Sequence, residues 1–201
     1  MRFHPGIYTL IFMLLFTVAC SPSAKKEQQS STEAESVKTP AQVVNMDLYF
    51  QSALEGDIKT IRDALDNGVD PDSKDENNRS ALMLSAYNGH EDIVRLLIEQ
   101  KADVNLVDVA NRTALMFAAS GPFNATVTAL LDAGANINTV DKEEHWSALM
   151  FAASEGQMEV VQTLIAKGAD LHLKDIDDES AYDFANANGH TLVAEFIKSN
   201  M

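Results

Sequence analysis

The chain has 201 residues, 30 acidic side chains against 15 basic ones, and a formal charge of −15. Phosphate repulsion and the lack of a basic patch exclude nucleic acid as a partner. One cysteine, Cys20, excludes an intramolecular disulfide.

Met1-Arg2-Phe3-His4 precedes a run from Ile7 to Ala19 interrupted only by Tyr8, Thr9 and Thr17. That run is too short for a permanent membrane span. A basic residue, a short apolar core and a small residue before the cut predict a secretory leader over 1–19. Phe16-Thr17-Val18-Ala19-Cys20 resembles the bacterial lipoprotein box. The resemblance implies that Cys20 is lipidated and begins the mature protein, which without Arg2 carries −16. The alternative is a free thiol behind an ordinary leader. Ser21 stands where an aspartate would resemble an inner-membrane retention signal, so the expected anchor is in the outer membrane, facing the periplasm. More than one acyl chain makes such attachment stable. From 20 to 44 the chain is Ser, Lys, Glu, Gln, Thr and Pro with few apolar residues, too few to fold. It reads as a tether with a span of roughly 25–30 Å.

From 45 to 201 the chain repeats itself. Thr113-Ala114-Leu115-Met116-Phe117-Ala118-Ala119 returns as Ser147-Ala148-Leu149-Met150-Phe151-Ala152-Ala153, with looser copies at Ser80–Ala86 and Ser180–Ala185. Ala81, Ala114, Ala148 and Ala181 lie 33, 34 and 33 residues apart, a period that signals a stacked array. Ser80, Thr113, Ser147 and Ser180 are predicted helix caps. Gly89, Gly156 and Gly189 are predicted to end the first helix in a left-handed turn. A second helix follows, with Ile93, Val94, Leu97 and Ile98 in one copy and Val160, Val161, Leu164 and Ile165 in another. Gly134 and Gly168 close it, and a polar hairpin leads to the next copy. Lys101 stands in the closing-glycine slot, at a predicted cost of order 1 kcal/mol.

Asn88-Gly89-His90, Asn188-Gly189-His190 and Lys167-Gly168-Ala169-Asp170 are the words through which the chain resembles the ankyrin repeat family, from Leu48 to Asn200. The expected fold is an all-α repeat solenoid of about five helix-turn-helix-hairpin units, over 45–74, 75–107, 108–140, 141–174 and 175–201. Ala81, Ala114, Ala148 and Ala181 replace the family's proline, and Met83, Met116 and Met150 replace its histidine. The end units should carry polar outer faces, as Lys59, Arg62, Asp63 and Asp66 do in the first. Phe184, Val193, Phe196 and Ile197 remain for the last to bury. Gly121-Pro122-Phe123-Asn124 replaces the Gly-His turn and reads as a repaired loop, with a second partner surface as the alternative.

Little suggests chemistry. There is no Gly-rich phosphate loop, paired zinc ligand set or nucleophile elbow. His90, His190 and His172 sit in the repeat's own slots, and His4 in the leader. Asp175, Asp177, Asp178 and Glu179 cluster without the spacing or glycine of a calcium loop. No enzyme activity, cofactor or metal is expected.

The resemblance implies instead a partner protein held by hairpin tips and the exposed side of the first helices. Carried over by position, those sites are Glu76, Asn77 and Arg79 with Tyr87 and Asn88; Val109, Ala110 and Arg112 with Ser120; and Ile176, Asp177 and Glu179 with Ala187. The third hairpin, with Glu144, His145 and Trp146, is one residue longer and holds the only tryptophan. Trp146 aligns with Arg79 and Arg112. It is either a binding hot spot or a ring folded back over the hairpin and first helices. Leu106, Val107 and Val109 either extend an apolar patch beside it or pack on one another, while Asn78 and Asn111 are expected to hold left-handed turns. The expected partner is another protein of the envelope or periplasm, inhibited by the array or only held near the membrane by it.

Overall fold

The computed structural model describes residues 44–201; the leader, Cys20 and the tether before Val44 lie outside the described residues. Among the described residues there are ten α-helices and no strand. They run as five pairs: α1 (Met46–Glu55) and α2 (Ile58–Asp66), α3 (Ala81–Tyr87) and α4 (Glu91–Glu99), α5 (Ala114–Ala119) and α6 (Asn124–Asp132), α7 (Ala148–Ser154) and α8 (Met158–Ala166), α9 (Ala181–Ala187) and α10 (Thr191–Asn200). First helices stack on first helices and second on second, giving a two-layered all-α repeat array.

The first helices after α1 have only 6 or 7 residues. Segments this short do not hold as isolated helices, so caps and packing must stabilise them. Ser80, Thr113, Ser147 and Ser180 each accept a bond from the amide three residues on. At Ser180 the Asp183 carboxylate answers by accepting from both the Ser180 hydroxyl and its amide. Those bonds hold the Asp183 carboxyl below its ordinary range. The buried small residues Ser85 and Ala86, Ala118 and Ala119, Ala152 and Ala153, and Ala185 let the short helices approach closely, and Met83, Met116 and Met150 lie fully buried among them. Methionine can fit irregular gaps there. In the second layer Ile93, Val94, Leu97, Val160, Val161 and Leu164 are buried, each contributing about 1.5–3 kcal/mol.

Gly89, Gly156 and Gly189 take φ of 70°, 70° and 80°, and Lys101 sits at φ 70° in the slot that Gly68, Gly134 and Gly168 fill elsewhere. The Gly-His words have a packing reason. The His90 ring lies on Gly56 and the His190 ring on Gly156, so close that an added Cβ would come within 2.7 and 2.6 Å of a ring atom. Each ring's Nε2 also meets a carbonyl of the preceding unit, Leu54 at 2.9 Å and Ser154 at 3.0 Å. In the third unit Phe123 does the packing without the hydrogen bond, its ring held between Gly89 and Gly121. Gly121-Pro122-Phe123-Asn124 is thus a refilled turn.

Lys59, Arg62, Asp63 and Asp66 are exposed on the outer side of the first pair, and Val193 and Ile197 are buried in the last. Tyr49 of α1 is fully buried, and its hydroxyl has no hydrogen-bond partner among the described residues. Burial, with the carboxylates of Asp70 and Asp72, pushes its pKa up to about 12. A folded value above the unfolded one leaves stability intact below about pH 10 and erodes it as pH rises toward the folded value. Phenolate absorbance during an alkaline titration should therefore show Tyr49 ionising together with unfolding, and Tyr49→Phe should remove that step.

Candidate functional site

Four hairpins line one side of the array and share a construction. Each opens on an aspartate that accepts amides within its own loop: Asp75 from Asn77 and Arg79, Asp108 from Ala110 and Arg112, Asp175 from Asp177 and Glu179, all at 2.8–3.0 Å. Each then passes through a left-handed residue, Asn78, Asn111, His145 or Asp178, at φ of 58–64°. The next residue is Arg79, Arg112, Trp146 or Glu179. In the third hairpin the extra residue is taken up inside the loop, so Asp141 accepts from Glu144 and Trp146 instead. His145 therefore occupies the turn slot of Asn78 and Asn111. Neighbouring tips are joined by backbone bonds: Val109 N–H donates to Asn77 O, Lys142 N–H to Ala110 O, and Ile176 N–H to Glu144 O.

The two arginines are not free tips, as their alignment suggested. Arg79 donates through Nε to Asp75 at 2.8 Å, and Arg112 through Nε to Asp108 at 3.0 Å, with Nη2 on the same carboxylate oxygen at 2.8 Å in both. Both lie back against their hairpins and face the first helices. The Arg112 guanidinium carbon stands 5.0 Å from the centre of the Phe117 ring, a cation–π contact. Burial alone would raise the Asp75 carboxyl, but the Arg79 amide and guanidinium and the Asn77 amide outweigh it and hold the group below its ordinary range. The stability this contributes is complete above the ordinary carboxylate pKa and is lost as pH falls through the depressed value. Urea midpoints measured at falling pH should show a smaller loss for Asp75→Asn than for wild type.

Trp146 takes the second of the two arrangements expected of it, the ring folded back over the first helices. Its ring is half-buried, 5.2 Å from Phe151 and 4.3 Å from Phe184 between centroids, so it covers the last two first helices. Aromatic neighbours pull a flat apolar ring out of water more strongly than an exposed tip can hold it there. Trp146→Ala should cost about 2–3 kcal/mol and lower the thermal midpoint; an unchanged melt would return the ring to the tip. Leu106 packs on the core and Val107 is half-buried, leaving Val109 as the exposed member of that group.

Tyr87, Val109 and Ile176 are each more than half exposed, at 53, 58 and 54%. Glu144, His145 and Glu179 are exposed as well. Tyr87 meets Phe117 edge-on at 6.0 Å, and two adjoining clefts share Tyr87, Arg112 and Phe117. One, of about 310 Å3, reaches toward Leu54, Leu84 and Arg79. The other, of about 420 Å3, reaches toward Phe151 and Glu155. The cleft residues Phe117, Phe151 and Leu54 are absent from the sequence-derived site. For the two phenylalanines the signal was present, since Leu84, Phe117, Phe151 and Phe184 each stand three residues after an anchoring alanine; Leu54, in the divergent first unit, has no such mark.

Among the described residues no group of three or more His, Cys, Asp or Glu is placed to hold a metal ion, and no helix is long and apolar enough to cross a membrane. The carboxylate of Asp175 is used in capping its own hairpin.

Two family models match the sequence: ankyrin repeats (3 copies) over residues 49–141, and ankyrin repeats (many copies) over residues 130–185. The matched stretch runs through the same stacked pairs, left-handed glycines and aspartate-locked hairpins as the structure. The chain belongs to the ankyrin repeat family.

Proposed function

We propose that this protein-interaction module is carried on a bacterial lipoprotein, anchored through Cys20 to the outer membrane and facing the periplasm, where it binds another envelope protein without chemistry of its own. The observation that carries the binding reading is the cleft floored by Tyr87 and Phe117, continuous with a hairpin row that exposes Val109 and Ile176. Large apolar side chains left in water along one face mark an interaction surface. The anchoring reading rests on Thr17-Val18-Ala19-Cys20 behind the apolar run, and on the polar stretch that separates Cys20 from the array.

In its inhibitory form the array covers the active site of an envelope hydrolase and protects the cell that makes it. The second form is a scaffold that holds an enzyme or complex near the membrane. A crosslinked pull-down from native envelopes, wild type against Tyr87→Ala with Val109→Glu, tests the surface. One protein enriched by wild type and lost from the variant supports it, and recovery of nothing above background removes it. Assaying the recovered protein with and without the array separates inhibitor from scaffold. Metabolic labelling with an alkyne fatty acid should mark wild type and spare Cys20→Ser.

A further inference from the structure

The cleft between the second and third helix pairs has a chemistry opposite to that of the chain as a whole. The protein is strongly acidic, yet the charged groups lining this cleft are Arg79 and Arg112, set above a floor of Leu54, Leu84, Tyr87 and Phe117. The aspartates that hold the arginines lie underneath, with side chains 12% and 1% exposed, and each is already saturated by two loop amides and a guanidinium. They fix the guanidiniums in place and are shielded from a ligand. Among the described residues Nε and Nη2 of each arginine are spent on its aspartate, while Nη1 has no partner.

Such a guanidinium is ready to bind a carboxylate, because its side-chain entropy has already been lost. The distant acidic surface is screened beyond about 10 Å in ordinary salt, so contact chemistry decides what the cleft takes. A basic side chain placed here would face two fixed cations. A purely apolar one would strip water from their free N–H groups and return nothing.

We infer that this cleft takes an Asp or Glu side chain next to a large apolar one, both from a segment of the partner protein: the carboxylate accepts from Nη1 of Arg79 and Arg112, and the apolar side chain lies on Tyr87 and Phe117. The inference rests on the partner-binding reading above and names the partner's chemistry.

The test is selection of a phage-displayed random peptide library on the full chain, followed by binding measurements with synthetic, C-terminally amidated peptides. Selected peptides should pair Asp or Glu with an adjacent Leu, Phe, Tyr or Trp. Changing that acid to its amide should weaken binding about tenfold or more, as should Arg112→Lys, which keeps the charge but loses the fork. Tyr87→Ala should weaken it comparably. Tyr87 is exposed, so this variant decides the matter even if Arg112→Lys disturbs the hairpin. Basic or neutral winners overturn the inference, as do acidic ones indifferent to the amide change or to Tyr87→Ala. Those outcomes leave a binding module standing; failure to select any peptide, joined to an empty pull-down, removes both readings.

Discussion

Gly89→Ala should destabilise the array by about 2–4 kcal/mol, combining a left-handed backbone with an overpacked contact. At φ 70° an alanine pays for its Cβ on the backbone side. That same Cβ would come within 2.6 Å of Phe123 Cε1. The ring cannot readily withdraw, because its opposite edge lies against Gly121, where an added Cβ would lie 2.6 Å from Cδ2. Gly189 provides the control. Its φ is 80°, but nothing lies within 4 Å of its missing Cβ, so Gly189→Ala should cost only the backbone share, about 1 kcal/mol. Thermal melts of both single variants, and of Gly89→Ala with Phe123→Ala, separate the two contributions. Equal losses at Gly89 and Gly189 would show that the ring is not wedged.

Asp108→Ala should cost a comparable 2–4 kcal/mol. One buried carboxylate satisfies the amides of Ala110 and Arg112 and anchors the Arg112 guanidinium. Its loss leaves two loop amides unpaired and a cation without its partner. Arg112, 40% exposed, can turn partly to water, which keeps the cost below that of a fully buried pair. Asp175 caps its hairpin in the same way but is followed by Glu179 in place of arginine. Asp175→Ala should therefore lose about 1–2 kcal/mol. Urea unfolding compares the two, and a loss at Asp175 as large as that at Asp108 would assign the whole effect to the amides.

Much of the fold was legible because its determinants are local and recur. A hydroxyl before each Ala-Leu-Met run, a glycine after most helices, and even Lys101 in a glycine slot are read one unit at a time. Side-chain direction at the site was not. Asp75 and Arg79, and likewise Asp108 and Arg112, repeat the same spacing of four, which in hindsight signals an arginine tied to its own loop. Nothing local shows that Trp146 turns toward Phe184, because that ring is supplied by the following unit. The cleft is hidden for the same reason: Leu54, Tyr87 and Phe117 come from three successive units, and only stacking brings them to one floor. Phe123 looked like a break in the Gly-His pattern, when it is a different ring set on the same glycine.

The third hairpin absorbs an additional residue between Asp141 and His145 while keeping its aspartate lock, its left-handed turn and its bonds to both neighbouring tips. Loop length there is thus uncoupled from helix stacking, and each doubling of a flexible loop costs only about 0.6 kcal/mol. The bond between Lys142 and Glu143 is accordingly a place where the chain can be opened for grafting. An epitope, a fluorophore site or a randomised loop inserted at that point would be displayed beside the cleft with the ten helices undisturbed, turning the array into a scaffold for engineered recognition.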